Sequence, residues 1–307
     1  MRTLGFDTSN YTTSAAAFDG MQGQNCSRLL DVAPGQLGLR QSDALFAHTK
    51  RLPEIVRRLM DSADRADICA VAASTRPRAV EGSYMPCFLA GQTLGQCVAE
   101  ILNVPFYAVS HQQGHIAAAL WSAGRLDLMQ TPHLAWHLSG GTTELLLVTP
   151  EGKNVRAERI GGTSDISAGQ IMDRTGKLLG LPFPSGKALD ALAAGTDARD
   201  AFRVRLDGLQ FSFSGLENKV IQFRAKGHDD AQTARYAILS VCHAVMAATA
   251  AAQKQYPGLE VVFSGGVASN TLLRAHCAAF RPVFAQPQYS TDNAMGVAVL
   301  AYLQEAH

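Results

Sequence analysis

The chain has 307 residues, 47% of them hydrophobic and 17% charged, with a formal net charge of +1. That length and apolar share allow a large buried core and two domains of ordinary size, and the near-neutral balance gives no global pull toward nucleic acid. Six cysteines, at 26, 69, 87, 97, 242 and 277, form no Cys-x-x-Cys pair and sit among apolar neighbours, which favours buried thiols over disulfides or a zinc knuckle.

Residues 3–7 read as a strand, and Asp7 stands where a secretory signal would need an apolar run, so a cytoplasmic location is expected. A polar turn of Asp7, Thr8, Ser9 and Asn10 leads to a strand over 13–18, a third short strand, a helix over 44–62, a strand over 68–73 and a helix over 88–102. The groups Lys50-Arg51, Arg57-Arg58 and Arg76-Pro77-Arg78 read as solvated faces. An extended run over 105–109 then passes into a helix, with Ser110 as its N-cap and His111 and His115 four apart on one face. At that spacing Cβ atoms lie roughly 5 to 6 Å apart, so the two imidazoles reach a common metal ion. The same spacing equally suits helix-start histidines that hydrogen-bond backbone and water. The positive end of the helix favours neutral rings. Gln112 follows the first histidine where a zinc peptidase carries a glutamate base, which argues against a peptidase.

The second half repeats the order. Strands are expected over 134–138, 143–148 and 154–159, helices over 165–179 and 232–253, a strand over 259–263, a helix over 269–279, a strand over 283–285 and a helix over 292–304. His133 and His137 share the spacing of the first pair but lie on a strand, where four residues span about 13 Å, too far for one ion. The apolar stretch 237–252 is too short to cross a bilayer, so it reads as a buried helix and no membrane contact is expected. Two similar mixed α/β lobes, given twice in one chain, imply a nucleotide cleft between them.

Each lobe opens with a strand, a tight turn and a strand. The turns are Asp7, Thr8 and Ser9 in the first, taken as candidate catalytic residues, and Leu138, Ser139, Gly140, Gly141 and Thr142 in the second. Small and hydroxyl residues in such turns aim N–H and O–H groups at an anion. Gly265 and Gly266 end a strand where backbone approaches a flat nucleoside closely.

These features, together with Phe211-Ser212-Phe213-Ser214-Gly215-Leu216, Gly265-Gly266-Val267-Ala268-Ser269-Asn270, Ser290-Thr291-Asp292-Asn293-Ala294 and Leu178-Leu179-Gly180-Leu181, resemble the catalytic subunit family of the tRNA threonylcarbamoyl-adenosine synthase. That family, TsaD-like and formerly named O-sialoglycoprotein endopeptidase, belongs to the actin, Hsp70 and sugar-kinase class. The resemblance covers nearly the whole chain. It implies an α/β fold of two duplicated RNase H-like lobes: residues 1–127, residues 128–290, and a C-terminal helix, 291–307, returning to the lobe interface with Asp292. It adds Asp292 to His111 and His115 as ligands of one transition-metal ion, iron in preference to zinc. It also carries an adenylate site onto Leu138 through Thr142, Asp173, Gly186 and Asn270. The implied reaction moves a threonylcarbamoyl group from its adenylate to a tRNA adenosine beside the anticodon, with other synthase subunits as partners. The chain departs from the family at Asn10-Tyr11-Thr12, where the family carries Cys-Asp-Glu, at Arg76-Pro77-Arg78, where it carries Gly-Pro-Gly, and at Gln170, where it carries Glu. Two other readings fit the same turns: a non-catalytic nucleotide-binding scaffold, and an ATP-dependent small-molecule kinase using Mg²⁺ with Asp7 as base.

Overall fold

A computed structural model describes every residue except Asn10, 32–38, 62–66 and His307. Asn10 of the first turn and Ser62, the expected end of the first long helix, therefore lie outside the described residues. The chain divides into two compact units.

The first unit comprises Met1–Thr131, Thr149–Ala157 and Asp292–His307. Its strands are β1 (Arg2–Asp7), β2 (Thr12–Phe18), β3 (Gly23–Leu29), β4 (Ile68–Arg76) and β5 (Phe106–Ser110), and its helices are α1 (Gln41–Met60), α2 (Phe88–Leu102) and α3 (His111–Ser122). The sheet order is β3-β2-β1-β4-β5, antiparallel through β1 and β2 and parallel from β1 to β4 and β5. Alternation along β1 decides which helices cover which face. Leu4 and Phe6 join Ile55, Leu59 and Val71 in one buried cluster, on the side where Gly95 of α2 lies against Phe6. Gly5 faces the other way and receives the backbone of Ala298.

The second unit comprises Pro132–Val148 and Glu158–Thr291. It adds β6 (His133–Leu138), β7 (Thr143–Glu151), β8 (Asn154–Thr163), α4 (Ala168–Leu178), α5 (Gly186–Ala193), β9 (Leu206–Asp207), β10 (Gln210–Phe211), α6 (Ser214–Ala225), α7 (Asp230–Gln255), β11 (Val261–Ser264), α8 (Thr271–Cys277) and β12 (Val283–Phe284). The sheet order β12-β11-β6-β7-β8-β10-β9 repeats the first sheet and extends it by a short hairpin. As in the first sheet, the opening pair β6 and β7 is antiparallel, and β11 and β12 run parallel to β6 and to each other. The two sheets thus share one strand order, as expected for duplicated α/β lobes.

Trp136, Leu138, Leu145, Phe211, Phe213 and Phe263 form the second core with Ile238, Val241 and Val245 of α7. α7 is long and apolar enough to cross a membrane by composition, and 61% of its most apolar window is buried inside the unit. Asp229 caps it, accepting from Gln232 N at 2.8 Å while Gln232 Oε1 accepts from Asp229 N at 3.1 Å.

Helices α5 and α6 and the β9–β10 hairpin have no counterpart in the expected element order. The helix expected over 269–279 is shorter: a 3-10 turn over Gly266–Ser269 precedes α8, which Asn270 caps through its Oδ1. The last helix, α9 (Met295–Glu305), begins three residues after Asp292, so Asp292 is not a helix-start residue. Asn293 Oδ1 accepts from Met295 N at 2.9 Å, and Ala294 N donates to Asn25 Oδ1 on β3 at 3.0 Å; both bonds fix the segment that leads into α9. Cys26, Cys87, Cys242 and Cys277 are buried, whereas Cys97 is exposed.

Candidate metal centre and nucleotide pocket

The start of α3 is fixed by a capping box. Ser110 Oγ accepts from Gln113 N at 3.2 Å, and Gln113 Oε1 accepts from Ser110 N at 2.9 Å. Gln113 Nε2 donates to Val155 O at 2.7 Å, and Gln112 N donates to Pro77 O at 3.0 Å, so the first turn is tied to the start of β8 and to the bend after β4. His111 and His115 share one face, their ring centroids 4.3 Å apart and their Nε2 atoms 2.9 Å apart. Asp292 Oδ1 lies 3.3 Å from His115 Nε2 and 3.6 Å from His111 Nε2.

What brings Asp292 to this pair is the crossing of α3 and α9. A Cβ on Gly296 would stand 1.8 Å from Gly114 O and 2.7 Å from Ala118 N, so only glycine permits this approach.

The donor set is two imidazole nitrogens and one carboxylate oxygen, with the ligating atoms within 4.8 Å of one another. Ligands at about 2.1 Å from a common ion lie roughly 3.0 to 3.4 Å apart for bond angles between 90° and tetrahedral. The observed 2.9, 3.3 and 3.6 Å bracket that range, so the residues fit an ion without rebuilding. Two histidines and a carboxylate are a set that suits ferrous iron as well as zinc.

Asp7 ends β1 beside this set and is 1% exposed. Its Oδ1 accepts from Ser9 N at 2.7 Å, and its Oδ2 lies 2.7 Å from His111 Nδ1. Thr8 is occupied elsewhere: its Oγ1 donates to Cys87 O at 2.9 Å and accepts from Gly91 N at 3.1 Å, bracing α2.

The carboxylates beside His111 act against the helix-end preference for a neutral ring. Burial disfavours its charged form, but the carboxylates of Asp7 and Asp292 outweigh burial and raise its pKa to about 10. Burial likewise pushes Asp7 and Asp292 upward, and the facing histidines pull both below the usual carboxylate range. Two close carboxylates exceed the effect of a helix end.

In the second unit a cavity of about 390 Å³ is lined by residues that include Gly140, Met172, Asp173, Gly186, Gly266 and Asn270, within the size range of small-molecule sites. Asn270 Nδ2 donates to Asp190 Oδ1 at 2.9 Å. Asp173 Oδ1 accepts from Ser185 N at 2.8 Å, and its Oδ2 makes no hydrogen bond among the described residues. Leu138, Ser139, Gly141, Thr142 and Gly265 are not on the lining. Leu138 belongs to the core, and Ser139 and Thr142 close the turn on each other, Ser139 N to Thr142 O at 2.8 Å and Thr142 N to Ser139 Oγ at 3.0 Å. Gly265 packs against the Leu138 backbone, with φ +92° and a Cβ position 2.2 Å from Leu138 O. Sequence reasoning missed Lys187 and Asp190, which line the cavity from α5, a helix of only eight residues.

The Phe211 to Leu216 motif is organised by Asp165, which accepts from Phe213 N at 2.8 Å, Ser214 N at 3.2 Å and Ser212 Oγ. Partial burial raises its pKa, and these hydrogen bonds with those from Ile166 and Thr163 outweigh it, lowering the carboxyl to about 2.

A family model described as tRNA N6-adenosine threonylcarbamoyltransferase matches residues 36–299. A protein of that name from Rhizobium etli is 32% identical over 97% of this chain and 87% of its own length. One from Granulibacter bethesdensis is 34% identical over 96% and 86%. Among solved structures, component A of the (R)-2-hydroxyglutaryl-CoA dehydratase of Acidaminococcus fermentans superposes with a TM-score of 0.57 at 14% identity over the full length of both chains. HypF in a phosphate- and nucleotide-bound form gives 0.61 at 14% identity, covering 99% of this chain and 55% of that one. These two likenesses speak for the fold alone, whereas the sequence matches carry the assignment. The chain belongs to the tRNA N6-adenosine threonylcarbamoyltransferase family and is an enzyme of the transferase class.

Proposed function

We propose that the chain transfers a threonylcarbamoyl group from its adenylate to the exocyclic amine of a tRNA adenosine next to the anticodon, together with other subunits of a synthase complex. The observation that carries this reading is the convergence of His111, His115 and Asp292 in a chain of this family. His111 and His115 through Nε2, and Asp292 through Oδ1, would hold one transition-metal ion, iron in preference to zinc. When bound, such an ion supplies Lewis-acid polarisation of an acyl oxygen. Gly140 and Gly266 would admit the adenylate backbone-close, Asp173 Oδ2 would accept from ribose hydroxyls, and Met172 and Val267 would flank the base. Fixing the adenylate this way removes most of the entropic cost of bringing the amine to the acyl carbon. The amine nitrogen bonds to the carbamoyl carbon, the bond from that carbon to the phosphate oxygen breaks, AMP departs with the electron pair, and the amine releases a proton.

The kinase alternative needs a carboxylate base free to accept a proton. Asp7 is buried with both oxygens engaged, which argues against that role. The test is a reconstituted reaction of the purified chain with partner subunits, threonylcarbamoyl-adenylate and a tRNA transcript, read by mass spectrometry of nucleosides. Modified adenosine made by the native protein and not by His111→Ala or Asp173→Ala supports the proposal. Equal product from all three overturns it.

A further inference from the structure

The contact between Asp7 and His111 is not explained by ligation, because it lies on the far side of the ring from the other ligands. Nδ1 meets Asp7 Oδ2 at 2.7 Å, while Nε2 faces His115 Nε2 at 2.9 Å and Asp292 Oδ1 at 3.6 Å. A neutral imidazole carries one N–H, and a carboxylate accepts only. A proton held on Nδ1 by Asp7 therefore leaves the Nε2 lone pair directed at the ion position. Asp7 cannot easily leave this arrangement. Its other oxygen accepts from Ser9 N at 2.7 Å, its backbone carbonyl accepts from Ser14 Oγ at 3.1 Å, and it ends a strand paired on both sides. We infer that Asp7 is a positioning residue that fixes the tautomer and orientation of His111 for metal ligation. This rests on the proposed metal role of His111, His115 and Asp292. Carboxylate partners of ligating histidines raise ligand basicity and typically contribute 10–100-fold in metal affinity.

The experiment uses Co²⁺ as the probe, titrated into the metal-free full chain, with affinity from chelator competition and geometry from the visible d–d band. The native protein is expected to bind one Co²⁺, and His111→Ala none. Asp7→Ala should bind about 10–100-fold more weakly with a displaced band. Asp7→Asn is the sharper variant because it keeps the shape. With its oxygen accepting from Ser9 N, its amide donates to Nδ1 and moves the ring proton to Nε2, so it should bind at least as weakly as Asp7→Ala. If Asp7→Ala does not fold, Asp7→Asn carries the test, with near-ultraviolet circular dichroism as the control. Native-like affinity and band in the folded Asp7 variants, with binding lost in His111→Ala, would overturn the inference and leave the metal reading standing. No Co²⁺ binding by the native chain would overturn the metal reading itself, and this inference with it.

Discussion

In the first unit two histidines of one helix meet a carboxylate from a remote stretch of the chain, and the contacts among them are short and partly buried. In the second unit the cavity is shaped chiefly by backbone: glycine turns, a helix cap at Asn270 and a strand end at Gly265. The difference matters for tolerance. The first site depends on the close approach of two helices, so a change far from any ligand can open it, whereas the second is framed by turns and caps joined by hydrogen bonds such as that from Asn270 to Asp190.

The strongest way to break this contrast is Gly296→Ala. The added carbon would meet Gly114 O at 1.8 Å, and overpacking of this kind costs about 1–3 kcal/mol or more. Thermal unfolding should show the loss, and metal stoichiometry should fall with it as α9 is displaced. Gly140→Ala is the counterpart, with nothing within 4 Å of its new carbon, and its stability should stay within about 0.5 kcal/mol.

Next in size is the separation of the two sites by function. His111→Ala should abolish metal binding and leave adenylate affinity in the second unit unchanged. Asp173→Ala should weaken adenylate binding about tenfold, which corresponds to ~1.4 kcal/mol, with metal content unaltered. Elemental analysis and calorimetry read these independently.

Asp165 gives a pH-dependent comparison. Its pKa in the folded state is about 2, below the ordinary carboxylate value. Its contribution is therefore complete above the unfolded pKa of about 4 and is lost as pH falls from there toward 2. The stability difference between the native chain and Asp165→Asn should shrink over that window, as measured by denaturant unfolding at several pH values. The smallest effect is expected for Lys153→Ala. Lys153 Nζ donates to Gln304 O and Ala306 O at 2.9 Å each and caps α9 from the surface, and its loss should cost a few tenths of a kcal/mol.

Local chemistry was legible in the sequence. Ser110 as the cap of α3, the strand nature of His133 and His137, and the two repeated strand orders all follow from short-range pattern. Three things were not. α6 buries only Leu216 and Val220 and carries a weak apolar stripe, so periodicity has little to detect. The start of α9 depends on Asn25, 269 positions away from Ala294. The partner of His111 Nδ1 is Asp7, 104 positions away, a contact that its own helix does not announce. Asp292 entered through family resemblance, because nothing in its neighbourhood distinguishes a ligand from an ordinary turn aspartate.

The long interval between the imidazoles and Asp292 also bears on biosynthesis. A nascent chain halted between residues 122 and 292 already contains both rings and the strands of the first sheet, yet lacks the closing carboxylate. Interrupted translation products should thus be unable to retain the cation tightly, and metal loading would report that synthesis has passed that point.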